Sequence, residues 1–318
     1  MSAQISVIVP THNRKDLLLP LLESLLQQSV PSEMYEVIVV CDGVTDGTNQ
    51  QVRALCQKHS QLRLVELPQG GPAAARNAGA RIAQGKYLAF TDDDCLASRE
   101  WLGKLIEPFE DSECIGVEGQ TTTNPAERTP LTHQMESTGS LLVMPTCNAA
   151  YRRDAFEHLG GFEEGFPFPH NEDVDFAWRL RSLGKVSYAP EALIIHPPRP
   201  ESFAKKALWV RYLESEFLLF ARNPSAYRKH RSPSPWVTIY WRVFVIYQLH
   251  YCRTALGYLI NRHRPDYSAI TIALMFARWW NLIRFFPRYL RAARKVNSKE
   301  SAASQTGLDK KITHRMAD

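Results

Sequence analysis

Residues 87–95 read Tyr-Leu-Ala-Phe-Thr-Asp-Asp-Asp-Cys, an apolar run that ends in three adjacent carboxylates. A short run of this kind has the length and composition of a buried strand, which sets Asp92, Asp93 and Asp94 at its C-terminal end. In open α/β sheets ligands bind beyond that end of the strands. Three neighbouring carboxylates repel one another unless a cation or a ligand's donors absorb the charge. Hard oxygen ligands suit Mg2+ or Mn2+ shared with a bound phosphate. A solvated acidic turn is the competing reading of the triplet taken alone.

Upstream, residues 5–9, 36–40 and 62–67 are further apolar or β-branched runs of strand length. Leucines at 17, 18, 21, 22, 25 and 26 give residues 16–28 one helical apolar face, and helices are expected over 52–59 and 73–83. The resulting βαβαβαβ order predicts an α/β fold: a mostly parallel sheet, helices on both faces and right-handed crossovers. Each strand then ends in a polar loop on one edge, at 10–14, 42–48, 69–76 and the acidic triplet. A nucleotide-sized site along that edge follows from the topology. Neither G-x-G-x-x-G after the first strand nor G-x-x-x-x-G-K-[ST] occurs, which argues against a dinucleotide-dependent oxidoreductase and a P-loop NTPase. H-E-x-x-H and paired C-x-x-C zinc patterns are also missing.

The 318 residues exceed one average domain, and 44% hydrophobic with 22% charged residues is an ordinary globular composition. The net charge of +5 hides a division. Residues 1–198 carry 16 Lys and Arg against 26 Asp and Glu, a net of −10, whereas residues 199–318 carry 22 against 7, a net of +15. That asymmetry points to an anionic surface as partner of the basic half. The six cysteines are scattered, and with no leader pattern over residues 1–10 a reducing cytosol is expected. Cys41 and Cys95, beside acidic residues, read as small buried residues.

Six segments in order now carry a resemblance: V-I-V-P-T-H-N-R (7–14), C-D-G-V-T-D-G-T (41–48), G-P-A-A-A-R-N-A-G (71–79), F-T-D-D-D-C (90–95), R-R-D-A-F-E-H-L-G-G-F (152–162) and N-E-D-V-D-F-A-W-R-L (171–180). The series resembles family 2 glycosyltransferases over about residues 4–200. The resemblance implies the GT-A fold and inverting transfer from a nucleotide-activated sugar, usually a UDP-sugar.

On this resemblance Pro10, Thr11 and His12 would line the uracil pocket, with Arg14 at the end of the same donor-side motif; an imidazole face can stack on a pyrimidine. Asp42 would accept from the imide N–H of the base, and Cys41 stands where many relatives have a second Asp. Gly71 and Arg76 belong to a small-residue turn feeding a helix. There Arg76 offers a cationic fork to a diphosphate or to the Asp cluster itself. The triplet maps onto a D-x-D element, with Asp92 holding ribose or metal, Asp94 the main metal ligand and Asp93 on the donor. His196, after the strand-like residues 192–195, would complete the shell of Mn2+ or Mg2+. In the N-E-D segment a helix from Asp173 to about 183 puts Ala177 and Leu180 at i+4 and i+7 from Asp173. Asp173 therefore shares their inward face and is favoured over Asp175 as the base that deprotonates the acceptor hydroxyl. Glu172 would bind the acceptor or orient Asp173. Helix capping is the plainer alternative for both carboxylates.

Pro197, Pro198 and Pro200 mark a boundary, giving a catalytic domain over 1–200, a helical region over 201–296 and a disordered polar tail over 297–318. Residues 203–220 are helical by period. Residues 236–260 and 267–286 are long enough to span a bilayer but are interrupted by Arg242, Arg253, Arg278 and Arg284, each of which costs roughly 2.5 to 3.5 kcal/mol at mid-membrane. Helices lying in an anionic membrane interface are expected instead, with packing on protein as the alternative. A basic, membrane-facing half beside a sugar-transfer site points to a lipid-linked or cell-surface saccharide as acceptor, with the enzyme peripheral at the inner face of a bacterial-type cell membrane. No motif for reading nucleic acid is present. Two rival functions differ in class. A sugar-phosphate nucleotidyltransferase would need a glycine-rich loop after the first strand, where residues 10–14 stand instead. A noncatalytic sugar-nucleotide-binding or scaffold protein would lack the acidic residues that are all present here.

Overall fold

In the computed structural model, residues 3–137 and 139–296 are described, and the tail expected over 297–318 lies outside them. The chain divides into two compact units after Pro200.

The first unit runs β1 (Ile5–Thr11), α1 (Lys15–Leu26), β2 (Tyr35–Asp42), α2 (Thr48–Cys56), β3 (Leu62–Leu67), α3 (Pro72–Ile82) and β4 (Tyr87–Phe90). It continues through β5 (Leu96–Ala97), α4 (Trp101–Ile106), β6 (Cys114–Thr122), β7 (Thr132–His133), β8 (Ala149–Arg152), α5 (Arg153–His158), α6 (Glu172–Leu183), β9 (Lys185–Ile195) and β10 (Arg199–Pro200). Eight strands form one sheet in the order β3-β2-β1-β4-β8-β6-β9-β5. The four N-terminal strands are parallel to one another, as their alternation with helices requires. The direction reverses between β4 and β8, so the sheet is mixed but mostly parallel.

Period-two alternation along β1 sends Ile5, Val7 and Val9 to one face and Ile8 to the other. The first face is covered by Leu18, Leu21, Leu22 and Leu25 of α1 with Trp101, Leu102 and Leu105 of α4. The second is covered by Ala75 and Ala78 of α3 with Phe176, Ala177 and Leu180 of α6. Helices on both faces are thus present. The small residues of α3 have a specific purpose, because a Cβ added to Gly79 would lie 2.6 Å from Ile8 Cγ2. Close seating of α3 brings its first turns to the mouth of β4.

Boundaries differ from expectation where side chains cap or pair. Helix α2 begins at Thr48 rather than 52, because Gly47 takes φ +86° and the Asp46 carboxylate accepts from the Thr48 amide at 3.1 Å. Strand β9 is longer than the apolar residues 192–195, since its N-terminal part pairs in parallel with β6.

The second unit is helical. The stretch expected as one helix over 203–220 is divided into Phe203–Ala207, a 3-10 segment Leu208–Glu214 and Ser215–Arg222. The tighter winding suits Val210 and Leu213, which are three apart and both buried. Pro235–Val237 leads into a π-helical segment, Thr238–Ile246, and then into Tyr247–Ile260. Pro265–Arg284 follows, and Val210, Leu213, Phe217, Ile239, Val243, Leu282 and Tyr289 form the core of the unit. Among the described residues no single helix is long and apolar enough to cross a membrane. Pro265–Arg284 and Phe286–Val296 reach that length and composition only together, with a bend of 49° between them.

Candidate functional site

Each carboxylate at the mouth of β4 faces a different partner. Asp92 is held by Arg76, whose Nη2 lies 2.7 Å from its Oδ1. Asp93 accepts from Thr11 Oγ1 at 2.8 Å and from Arg14 Nη1 at 3.0 Å, which ties the end of β1 to the triplet. Asp94 faces Arg199 Nε at 2.7 Å, His196 Nε2 at 3.5 Å and Arg14 Nη1 at 3.6 Å. The cations thus take the place of a ligand in neutralising the cluster.

Burial and charge shape the protonation of these groups. Burial penalises the charge on Asp92, yet the adjacent Arg76 guanidinium outweighs it and holds the carboxyl below its usual range. Asp93 is pushed the other way, up to about 6, because burial exceeds the help it receives from Arg14 and Thr11. Glu172 is raised by burial despite Arg76, whose Nη1 stands 3.4 Å from its Oε1. Arg76 therefore lies between the triplet on the donor edge and the start of α6.

The donor-side loops converge on the same edge. Asp42 ends β2, and its two carboxylate oxygens accept from the amides of Gly70 at 2.6 Å and Gly71 at 2.8 Å. Gly71 takes φ +90°, a left-handed conformation that favours glycine, and it immediately precedes α3. His12 is exposed, and its Nδ1 donates to the carbonyl oxygen of Asp42, which leaves the ring edge fixed and a face open. Pro10 is buried as part of β1. Cys41, one residue before Asp42, is buried and its thiol is pushed up to about 12 by burial.

Next to Arg76, α6 begins at Glu172 after Asn171, which sits at φ +77°. Asp173 is partly exposed in the first turn, whereas Ala177 and Leu180, four and seven residues on, are buried. Asp175 is fully buried and bound by Arg179 Nε at 2.9 Å, and Arg179 also donates to the carbonyl oxygens of Leu159 and Gly161 at 2.8 Å. Asp175 thus fixes the Gly160–Gly161 turn to α6. A second clamp holds that turn: Asn77 Nδ2 donates to Phe162 O at 2.8 Å and Asn77 Oδ1 accepts from Phe162 N at 2.9 Å. Below, the rings of Phe90, Tyr151, Phe156, Phe162 and Phe176 pack at centroid separations of 4.8–6.3 Å.

The arrangement fits a divalent cation at Asp94. Donor atoms of Asp94, Cys95 and His196 all lie within 4.8 Å of one another and all three residues are buried. Neither oxygen of Asp94, nor Nδ1 of His196, has a hydrogen-bond partner among the described residues, although Asp94 makes the ion pairs above. Asp92, also expected at the metal, is turned to Arg76 instead. Arg199 and His133 were not anticipated from the sequence. The two-stranded β7–β10 ladder pairs Arg199 with His133, and the His133 ring stands 5.9 Å from that of His196. Strands of two residues, 66 positions apart, give no periodic signal.

Residues 6–160 match the model of a family described as Glycosyl transferase family 2. Glycosyltransferase AglE of Haloferax volcanii is 31% identical over 211 residues, which cover 62% of this chain and 67% of that one. Validoxylamine A glucosyltransferase of Streptomyces hygroscopicus subsp. limoneus is 28% identical over 219 residues, and the match spans 57% of this chain and about half, 48%, of that relative. Among solved structures, the mannosyltransferase PcManGT from Pyrobaculum calidifontis in complex with GDP-Man and Mn2+ has a TM-score of 0.59 at 22% identity, covering 88% of each chain. S. aureus TarS 1-349 in complex with UDP-GlcNAc has a TM-score of 0.56 at 19% identity, covering 95% of this chain and 92% of that one. These two likenesses show the glycosyltransferase fold, and the sequence matches show the lineage: the chain belongs to glycosyl transferase family 2.

Proposed function

We propose that this glycosyltransferase moves a sugar from a nucleoside-diphosphate donor, a UDP-sugar, to an acceptor hydroxyl with inversion at the anomeric carbon. The observation that carries the reading is the meeting of Asp92, Asp93, Asp94, Arg76, Glu172 and His196 at the mouth of β4, with the Asp94 oxygens lacking hydrogen-bond donors. The donor base would lie against Pro10, Thr11 and His12, with Asp42, preset by Gly70 and Gly71, reading its imide edge. Arg14, Gly71, Arg76, Asp92 and Asp93 would surround the sugar nucleotide. A Mn2+ or Mg2+ ion on Asp94 and His196, joined by Asp92 once Arg76 turns to the diphosphate, would neutralise the charge that develops on the departing nucleoside diphosphate.

Asp173 is the proposed base. A partly exposed carboxylate in the first turn of α6 is suited to take the proton of an acceptor hydroxyl as that oxygen attacks. Glu172, anchored by Arg76, would fix the position of its neighbour. The acceptor would be a lipid-linked or cell-surface saccharide, met by a chain that stays at the cytoplasmic face of a membrane through residues 201–296.

Binding and hydrolysis of UDP-, GDP- and dTDP-sugars, with Mn2+ and with chelator, test the donor part. Two solved structures of this fold are in complex with GDP-Man and with UDP-GlcNAc, so both bases belong in the panel. Metal-dependent selection of a UDP-sugar is the expected result. Selection of a GDP-sugar would correct the base assignment, and no binding of any sugar nucleotide would sink the transferase reading in favour of a binding or scaffold role.

A further inference from the structure

The helical unit carries an apolar face that none of the described residues covers. Along Pro265–Arg284, Ile272, Phe276, Trp280 and Ile283 recur at spacings of four, four and three, and their exposures are 42%, 56%, 67% and 58%. Such spacing is one stripe of a helix. Along Tyr247–Ile260, Leu249, Leu256 and Ile260 form a matching stripe at spacings of seven and four, exposed by 64%, 54% and 57%. The two helices are joined through other sides, where Gln248 and Ala255 of the first are buried. Cys252 Sγ lies 3.6 Å from Met275 Sδ, Trp279 Nε1 donates to Phe244 O at 2.9 Å, and Leu274, Met275 and Leu282 are buried. Large side chains therefore point outward on a hairpin whose inward positions are already filled. Monomeric proteins seldom leave so much contiguous apolar surface without a partner.

Charge selects the partner. Residues 241–296 hold ten Lys and Arg and a single acidic residue, Asp266. Arg253 and Arg284 are exposed in the two striped helices, Arg262 and Arg264 in the connection between them, and Arg242 in the segment that precedes them. Trp241, exposed by 59%, and Trp280 are of the kind that settles at the level of lipid headgroups. A protein partner would need an apolar groove lined with acids, whereas an anionic bilayer offers both components over any length. Arginines within the stripes and the absence of a single spanning helix among the described residues place such helices along the surface rather than across it.

We propose that Tyr247–Ile260 and Pro265–Arg284 form a monotopic platform that embeds Leu249, Leu256, Ile260, Ile272 and Phe276 in the outer acyl layer of an anionic bilayer, with Trp280 at the headgroup level and the flanking arginines on lipid phosphates. This deepens the membrane part of the function proposed above by naming the surface. Both long stem and guanidinium of each arginine contribute, the stem along the apolar layer and the head at the phosphates.

The test uses the full chain and vesicles of phosphatidylcholine alone or mixed with phosphatidylglycerol, scored by co-sedimentation and by the shift of tryptophan emission. Binding to the mixed vesicles is expected, at least tenfold tighter than to phosphatidylcholine and weakened by salt. The double variant Phe276→Ser, Trp280→Ser should lose at least tenfold, and Arg253→Gln with Arg284→Gln should remove the preference for phosphatidylglycerol. Sugar-nucleotide binding, measured on the same samples, reports whether each variant keeps its fold and its donor site. Absence of vesicle binding in a chain that binds a sugar nucleotide would overturn the platform while leaving the transferase reading intact. Vesicle binding without any sugar-nucleotide binding would do the reverse. A concentration-dependent dimer broken by the same Ser variants, without vesicle binding, would reassign the face to a second copy of the chain. Resistance to extraction by alkaline carbonate would overturn the surface placement in favour of a spanning one.

Discussion

Arg199 Nε stands 2.7 Å from Oδ2 of Asp94, on the same buried carboxylate whose Oδ1 is 3.5 Å from His196. A guanidinium this close occupies the charge that a divalent ion would use. Arg199 and a divalent ion would therefore compete for Asp94 in the donor-free protein. Arg199→Gln should tighten Mn2+ binding by about tenfold, roughly 1.4 kcal/mol, when titrated by electron paramagnetic resonance without sugar nucleotide. Unchanged or weaker binding would mean that Arg199 does not compete. Donor affinity in the same variant should fall if Arg199 transfers to the diphosphate when the metal arrives.

Asp173 carries a separable prediction. Asp173→Asn keeps the size and the start of α6, so donor binding should persist while the transfer rate falls by about 10²–10⁴-fold, the range of a lost general base. The comparison requires kcat for transfer alongside Kd for the sugar nucleotide. Near-normal turnover would remove Asp173 from the base role and return it to helix capping.

Far from the acidic site, Glu36 provides a test of pH dependence. It is buried at the start of β2 and accepts from Ser6 Oγ, the Gln84 amide and Arg63 Nη1, each at 2.7 Å. Burial opposes its charge, but these donors prevail and lower its pKa from the ordinary 4.5. A folded pKa below the unfolded one means that the network stabilises the protein above about pH 4.5 and loses that stabilisation as pH falls through the folded value. Glu36→Gln should cost about 1–3 kcal/mol in urea unfolding at pH 7 and flatten the acid limb of the stability profile. An unchanged acid limb would show that Glu36 contributes nothing to it.

Asn77 is buried and fills both backbone groups of Phe162. Asn77→Ala leaves a buried N–H and C=O without partners, at about 1–3 kcal/mol each. Urea unfolding should register that loss. Transfer should also slow, since the clamp joins α3, which carries Arg76, to the turn preceding α6. A variant as stable as the parent would show that water or a rearranged turn restores both bonds.

The N-terminal half of the sheet was legible because its strands are runs of mostly apolar or β-branched residues and α1 and α3 show a leucine and an alanine face, whereas the start of α2, which has neither, was missed. Residues 62–67 and 87–90 have the bounds expected of them. The other half was not, because β6 and β8 are rich in Gly, Ala and polar residues, and β5, β7 and β10 are only two residues long. Site residues inside motifs were expected by resemblance, and the structure brings Asp94 to His196 and Arg76 to Glu172. Arg199 and His133 could not, since their proximity depends on a ladder between distant segments. Helical breaks in the second unit escaped for a different reason: hydrophobic period alone does not distinguish α from 3-10 or π winding when buried residues fall three or more apart.

The reversal of strand direction between β4 and β8 divides the molecule's capacity for change. Loops that leave the parallel strands all emerge beside the nucleotide site, where a length change would displace groups that several other loops must meet. Beyond the reversal, residues 123–148 connect β6 to β8 through a 3-10 turn at Pro125–Glu127 and the short β7, whose pairing with β10 keeps His133 beside Arg199, so only the parts of that segment outside the ladder are open to change without disturbing the surroundings of Asp94. A sheet built in two senses thus leaves variation to the stretch between its outer strands and holds constant the edge on which the carboxylates meet.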